Sequence, residues 1–567
     1  MEYVIFAAVL AGTLLLLLVK SWMDYKKSEK RFIQRLYSDY GVLPQKEYKP
    51  EQFANISHYY LSHKKGFSID DITWNDLNMD EIFKRMNYAW SAAGEEYLYY
   101  LLRTPCEDEK ELLHREEMIS FFRDHADERV ACQYVFSKLG GTGKFSIYDY
   151  LDYLDQLGER SNFSHYASLV LLLGAASMMS VNLPMGLLFL VCVLAYNNIT
   201  YFRVKNEIDP YITSFAYIFR LLDAAKEIRL PKTGVFQEEM EQLKKSSAAM
   251  GSFKRGSVLI MSQGRMSGSG NPLDMLLDFF RMGFHLDLIK FNQMLSQVRR
   301  HISEVDRMVS TLGKIEAMIA VGAYRESLEA YCIPEFDVKP ALKASKLYHP
   351  LLADPVTNDI ETAKSILITG SNASGKSTFL KTVAVNSILA QTIHTALAES
   401  YTGAMFRIAS SMSLRDDVQG GESYYMAEIK SLKRILDLLL SEGELPVLCF
   451  VDEVLRGTNT VERIAASTQI LRSMAQKNCM CFAATHDIEL THLLEDVYQN
   501  YHFSETIEEN DISFSYKIRE GRASTRNAIK LLGIMGYEEE IIKEAEKMAG
   551  DFLASGVWHR LDSGKAE

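Results

Sequence analysis

The stretch Ser365-Ile366-Leu367-Ile368-Thr369-Gly370-Ser371-Asn372-Ala373-Ser374-Gly375-Lys376-Ser377-Thr378 decides the fold of the C-terminal part of this chain. An apolar, β-rich run enters a Gly-x-x-x-x-Gly-Lys-Ser loop, and Phe379-Leu380-Lys381 continues in a helix-compatible pattern. A phosphate cradle requires that order. The glycines let backbone N–H groups turn inward, the new helix aims its positive end at an anion, and Lys376 reaches the β and γ oxygens. Ser377 is suited to hold Mg²⁺ through its hydroxyl. The loop from Gly370 to Thr378, with Ser371, Asn372, Ala373, Ser374, Gly375, Lys376 and Ser377 between them, is expected to bind a nucleoside triphosphate.

Two further apolar runs supply candidate chemistry. Pro446-Val447-Leu448-Cys449-Phe450-Val451 ends in Asp452-Glu453, and a buried central strand would deliver both acids to the carboxyl edge of a parallel sheet, where ligands of such sheets collect. Asp452 suits the metal site, outside the ion's immediate ligands. Glu453 suits orienting the attacking water, because phosphoryl transfer is mostly positioning and charge neutralisation. Met480 to Thr485 forms a third strand ending at His486, a candidate sensor of the γ-phosphate. Between them Gly420-Gly421-Glu422-Ser423 precedes a helical pattern. A Gly/Ser-rich helix start is an anion site, best used in trans on a second copy's nucleotide; an ordinary helix entry reads the same way.

These motifs together resemble the ATPase domain of the MutS family, within the ABC class, from about His349 to Met548. Thr369 to Thr378 is similar to the family's Thr-Gly-Pro-Asn-Met-x-Gly-Lys-Ser-Thr loop, with Ser371 and Ala373 replacing Pro and Met. Ser423 to Ile429 is similar to Ser-Thr-Phe-Met-x-Glu-Met. Asp452 to Thr460 resembles Asp-Glu-x-Gly-Arg-Gly-Thr-Ser-Thr, and Ala484-Thr485-His486 matches directly. His349-Pro350-Leu351 and Asn358-Asp359-Ile360 resemble the entry segment, which the resemblance places near adenine. It implies ATP and Mg²⁺ as ligands, with Lys376, Glu453 and His486 as catalytic residues, Ser377 and Asp452 at the metal, and His349, Asn358 and Ser423 at the nucleotide. Upstream, Asp76 to Phe83, Leu101 to Pro105, and Ile315 to Phe336 look like the limits of the family's helical core. No wedge-type Phe-x-Glu precedes that core, and the room before residue 50 is too small for a mismatch-reading domain, so the resemblance does not extend to mismatch recognition.

Membrane segments are expected in their place. Tyr3 to Val19 is uncharged and would make a helix about 25 Å long. Glu2 opens the chain and no small-residue cleavage site follows, so an uncleaved anchor is expected. Lys20, Lys26, Lys27, Lys30, Arg31 and Arg35 then place the following chain in the cytoplasm. Ser161 to Phe202 carries no Asp, Glu, Lys or Arg, with Asn182-Leu183-Pro184 as a turn. Two spanning helices are expected there; a buried helical hairpin in a soluble core is the alternative.

The 567 residues leave room for two or three domains, and the net charge of −12 offers no global basic surface for nucleic acid. Lys244-Lys245, Lys254-Arg255 and Arg299-Arg300 are local basic pairs. Seven cysteines lack zinc-ligand spacing and read as buried thiols.

The expected architecture is multidomain: an α/β P-loop (ABC-type) ATPase head, a mainly α-helical MutS-like core and lever, and transmembrane helices. Its divisions are an anchor at 1–22, helical core at 23–160, a transmembrane hairpin at 161–202, core and lever at 203–335, the ATPase domain at 336–555 and a tail at 556–567. The expected protein is a multi-pass protein of the cell membrane with its ATPase in the cytoplasm, working as a homodimer through the ATPase heads. DNA is one candidate partner besides the lipid bilayer, and an unidentified protein is the other. An ABC transporter is disfavoured, because the Leu-Ser-Gly-Gly-Gln signature is absent.

Overall fold

The computed structural model describes residues 2–143, 145–251, 253–254, 282–371, 374–412, 424–441, 443–508, 511–523, 529, 532–533 and 535–558. The chain forms two compact units. One comprises Met1–Lys65, Phe83–Leu101 and Leu113–Glu329; the other comprises Gly66–Ile82, Leu102–Leu112 and Ala330–Glu567.

The second unit holds the strands β1 (Glu335–Phe336), β2 (Leu342–Leu347), β3 (Asn358–Thr362), β4 (Ser365–Thr369), β5 (Ser400–Gly403), β6 (Arg407–Ser411), β7 (Val447–Asp452), β8 (Cys479–Ala484), β9 (Tyr498–Glu508) and β10 (Asp511–Glu520). They form a four-stranded sheet in the order β1-β5-β2-β3 and a six-stranded sheet in the order β10-β9-β4-β8-β7-β6. In the larger sheet β9, β4, β8, β7 and β6 are parallel, and β10 adds an antiparallel edge.

The runs Ser365–Thr369, Arg407–Ser411 and Val447–Asp452 are buried at every position. Near-continuous apolar runs follow when helices cover both faces of a parallel sheet. Leu367, Val447, Cys449, Val451, Cys481 and Ala483 face one core with Leu432, Ile435, Leu471 and Met474 of the helices Tyr424–Leu440 and Thr460–Ala475. The alternate residues point away from that core. The rings of Phe450 and Phe482 among them meet at a tilt with centroids 5.4 Å apart, on the side where the buried helix Lys376–Ile393 packs. Each fully buried Leu, Val or Phe contributes about 1.5–3 kcal/mol of transfer free energy.

A short N-terminal segment closes this sheet. The sequence leads one to expect a single helical part over residues 23–160, but Gly66–Ile82 and Leu102–Leu112 belong to the second unit. The physical reason is the free edge of β6. Thr73 Oγ1 accepts the Ser410 N–H at 3.0 Å, and Asp76 Oδ2 accepts the Ser410 hydroxyl at 2.7 Å and the Met412 N–H at 2.9 Å. An open edge exposes unpaired backbone groups, and here the helix Asp71–Asp76 satisfies them.

The first unit has no strand among its described residues. Its core centres on helix Ile302–Glu326, buried along most of its length, and on Phe215, which meets Phe253 and Phe291 edge-on or tilted at 5.8 and 5.2 Å. Gly313 lets this helix lie directly against helix Ala92–Arg103: a Cβ there would stand 2.5 Å from the Ala93 carbonyl oxygen.

The N-terminal helix runs from Glu2 to Ser38, beyond the expected anchor, and Leu15, Leu16, Leu17, Leu18 and Trp22 are exposed on it. The charge-free block folds as Phe163–Val181 and Leu183–Glu227, so the second helix continues well past residue 202. Asn182 closes one and opens the other, its side chain accepting the Met185 N–H at 3.2 Å. Phe163–Val181 and Leu183–Ile208 are long and apolar enough to cross a membrane by length and composition, and only 22% and 17% of them is buried. Some of their polar side chains turn inward, while Ser164, Ser177 and Ser180 are exposed. Asn197 is fully buried, bonded to Ser168 and donating to the Gly283 carbonyl at 2.8 Å. All seven cysteines are free thiols, and Cys449 Sγ lies 3.5 Å from Cys479 Sγ.

Candidate functional site

Parallel alignment brings the carboxyl ends of β4, β8 and β7 to one edge, with β8 between the other two. Thr369, Ala484 and Asp452 end these strands, so the phosphate loop, His486 and the two acids converge there. Ser377 Oγ donates to Asp452 Oδ2 at 2.5 Å. Glu453 Oε1 is 2.9 Å from His486 Nε2, and Oε2 pairs with Arg456 Nε. Lys376 Nζ donates to the carbonyls of Gly370 and Ser371 at 2.8 and 2.7 Å and lies 3.4 Å from His486 Nε2.

Backbone geometry explains the residue types. Gly370 and Gly375 have φ of +151° and +108°, and a Cβ on Gly370 would press on Ser374 Oγ and the Phe503 carbonyl, both at 3.0 Å. Side-chain-bearing residues avoid these conformations. Glu453 and Leu455 nonetheless sit at φ of +55° and +59°. The Glu453 N–H bonds the Ala484 carbonyl at 2.9 Å, which holds the strained residue at the strand end.

The electrostatics are coupled. Burial raises the Glu453 carboxyl's pKa, but the His486 hydrogen bond and the charges of Arg456, His486 and Lys376 bring it below the ordinary carboxylate value. Burial lowers the Lys376 ammonium's pKa, against the pull of Asp452 and Glu453. The Glu453 carboxyl is therefore ionised near neutral pH.

The donor set fits a triphosphate. Ser374 Oγ is buried with no hydrogen-bond partner among the described residues, and the Lys376 ammonium is satisfied by loop carbonyls that an anion would replace. Ser377 and Asp452 fit a magnesium ion as a hydroxyl ligand and a carboxylate beside it. Among the described residues no group of three or more His, Cys, Asp or Glu could hold a metal, so phosphate oxygens would supply the rest.

Beside the loop lies a cavity of ≈ 340 Å³ lined by His349, Asn358, Thr378, Phe379, Phe503 and Tyr516, among others. His349 is buried and its Nδ1 accepts the Leu351 N–H at 3.2 Å. Asn358 is occupied rather than free: its amide donates to the Tyr516 carbonyl at 3.0 Å and accepts the Ile518 N–H at 2.8 Å. It pins a register shift in β10 between Phe514 and Ile518, inside which Tyr516 takes a φ of +51° and turns to the cavity. Tyr516 and Phe503 are not legible as site residues in the sequence, because only the β9–β10 pairing and its bulge direct them here; Phe379 is presented by the helix Lys376–Ile393. Asn372, Ala373 and Ser423 lie outside the described residues.

The described residues of the second unit form a mixed α/β domain with a candidate anion site at the carboxyl edge of its parallel strands. Comparison with known proteins agrees with that class. Residues 366–552 match the family described as MutS domain V. The chain is 29% identical over 262 residues to the DNA mismatch repair protein MutS of one Thermus thermophilus strain, covering 45% of this chain and 31% of that protein. The MutS protein of a second strain of that species aligns over 262 residues at 29%, covering 45% and 30%. That of Thermus caldophilus aligns over 274 residues at 29%, covering 47% and 31%. Both kinds of match show that the C-terminal part of this chain is similar to MutS proteins. The chain spans about a third of the length of these curated relatives.

Proposed function

We propose that this chain is a membrane-anchored, MutS-like ATPase of the P-loop, ABC class that hydrolyses ATP as a homodimer. The observation that carries the reading is the Ser377–Asp452 contact at 2.5 Å with Glu453 alongside. It joins the start of the phosphate-loop helix to the strand bearing the catalytic carboxylates. Bound magnesium would neutralise charge on the triphosphate. Lys376 would leave its loop carbonyls for the β and γ oxygens, and Glu453 would orient water against the γ-phosphate, with His486 reporting its presence. His349 and Tyr516 would flank the base.

The test is direct. Lys376→Ala is expected to abolish nucleotide binding. Glu453→Gln is expected to keep ATP bound and lower turnover by about 10²–10³-fold. Turnover at the parental rate in Glu453→Gln removes that assignment.

Homodimerisation follows from the need to close the open side of the triphosphate, a role proposed for Ser423 of a second copy. Mixing Lys376→Ala with Ser423→Arg subunits should restore one working site per heterodimer. Membrane residence is supported by the two exposed apolar helices, with Tyr3–Val19 as the third proposed segment and the ATPase on the cytoplasmic side. Reporter fusions should place residue 182 opposite residues 30–160 and everything after 203.

Association with DNA is the reading suggested by the relatives' names. The net charge of −12 favours a second reading, a membrane-bound nucleotide switch acting on a protein. Binding to duplex DNA that weakens steeply with salt decides for the first; its absence decides for the second.

A further inference from the structure

The loop after the catalytic carboxylates is fastened to a neighbouring helix. Glu428, on helix Tyr424–Leu440, is buried, and its Oε1 accepts the Leu455 N–H. Its Oε2 is buried with no hydrogen-bond partner among the described residues. Burial raises its pKa, while the nearby Leu455 and Arg456 amides favour the charged form. Tyr425 of the same helix packs against the same loop, where a Cβ on Gly457 would meet the Tyr425 Cβ at 3.2 Å. Val454 and Leu455 are buried in the core that Tyr425 and Ile429 flank. Arg456, between these two fastenings, holds Glu453 Oε2 while His486 holds Oε1. Both oxygens of the carboxylate that would orient water are thus engaged, and Arg456 competes with water for Oε2.

We infer that Glu428 is a positioning residue: it transmits movement of helix Tyr424–Leu440 to Leu455 and Arg456, and so sets whether Arg456 blocks Glu453. The inference rests on the ATPase reading and names the regulation of that site. Helix Tyr424–Leu440 begins directly after Gly421-Glu422-Ser423, the segment proposed to meet the second copy's nucleotide. A partner's ATP acts at the start of the helix, and Glu428 lies one turn further in. A strained loop with Leu455 at φ of +59° and an unsatisfied buried oxygen has a second arrangement within reach, as a two-position element requires.

The experiment uses the full chain in detergent. ATP turnover, nucleotide affinity and thermal stability are measured for the parent, Glu428→Ala, Glu428→Gln, Arg456→Ala and the double variant Glu428→Ala/Arg456→Ala. Glu428→Ala is expected to bind ATP within about twofold of the parent while kcat falls about tenfold or more. Glu428→Gln keeps one acceptor for the Leu455 amide and should lie between; it carries the test if the alanine variant does not fold. Arg456→Ala frees Glu453, so the double variant should turn over several-fold faster than Glu428→Ala, a recovery that lost packing would not produce. A kcat within about twofold of the parent in both Glu428 variants, or a double variant no faster than Glu428→Ala, overturns the inference. A parent without ATP turnover removes the ATPase reading and this inference together. A parent that hydrolyses ATP but is indifferent to Glu428 removes only the inference.

Discussion

Strand β7 and helix Phe163–Val181 are both apolar runs, yet their environments are opposite. Every residue of Val447–Asp452 is buried, whereas only 22% of the apolar helix is. The sheet places its apolar side chains between two layers of helices. The hairpin and the first half of helix Leu183–Glu227 present theirs outward and keep Ser168 and Asn197 inside. Contiguous apolar surface facing outward is the observation on which the proposed membrane residence rests. Hydrophobicity alone therefore does not separate a core from a membrane segment; the direction in which the side chains point does.

One substitution of the same kind in each region should break this comparison if it is wrong. Phe450→Asp places an unpaired charge in the sheet and is expected to exceed about 4–5 kcal/mol, leaving no cooperative, ATP-stabilised melting transition. Leu173→Asp, on the outward face of the hairpin, should leave ATP binding intact. Its cost of about 2.5–3.5 kcal/mol falls on membrane insertion, read as loss from carbonate-washed membranes. Parental membrane retention in Leu173→Asp would move the hairpin into the class of buried soluble cores.

The edge of the sheet gives an intermediate effect. Asp76→Ala removes the acceptor for the Ser410 hydroxyl and the Met412 N–H, and should cost about 2–3 kcal/mol, measured as a shift of the ATPase unit's melting transition. An unchanged transition would show that β6 closes without the N-terminal segment.

The helical unit has its own buried charge. Burial raises the Glu316 carboxyl to about 7, although the Ser91 hydroxyl and the Trp90 and Ser91 amides favour its ionised form. The folded pKa lies above the unfolded value, so stability from this group is complete below about 4.5 and is lost as pH rises towards about 7. The melting temperature should be lower at pH 8 than at pH 5, and Glu316→Gln should flatten that slope. A parental slope in the variant would assign the dependence elsewhere.

The smallest effect belongs to Leu455, at φ of +59° where the resembled motif has glycine. Leu455→Gly relieves about 1 kcal/mol of backbone strain but gives up about 1.5–3 kcal/mol of burial. A net loss near 1 kcal/mol in chemical denaturation is the expected outcome. A gain in stability would mean that Leu455 contributes little to the core.

The phosphate loop, Ser377, Asp452, Glu453 and His486 were legible in the sequence because each follows an apolar strand. A strand's carboxyl end is set by local pattern and by the parallel pairing that such runs favour. Tyr516, the occupied amide of Asn358, and Asp76 on the edge of β6 were not legible. Each depends on pairing between segments distant in the chain, and no local periodicity encodes a β10 bulge or the partner of a free edge. Helix ends were legible only where a breaker stands: Asn182-Leu183-Pro184 marked the hairpin turn, while nothing after Phe202 stops the second helix before Glu227.

By itself the sequence determined the order of strands and loops that builds the candidate site and the charge-free lengths of the two apolar helices. Tertiary structure alone decided that Gly66–Ile82 completes the second unit, that Glu453 is held by both Arg456 and His486, and that Glu428 reaches the loop between them. The physical reason is range. Backbone propensity and side-chain periodicity act over a few residues, whereas the partner of a buried charge or an unpaired backbone group is chosen by whichever distant segment the packed core brings within hydrogen-bond reach.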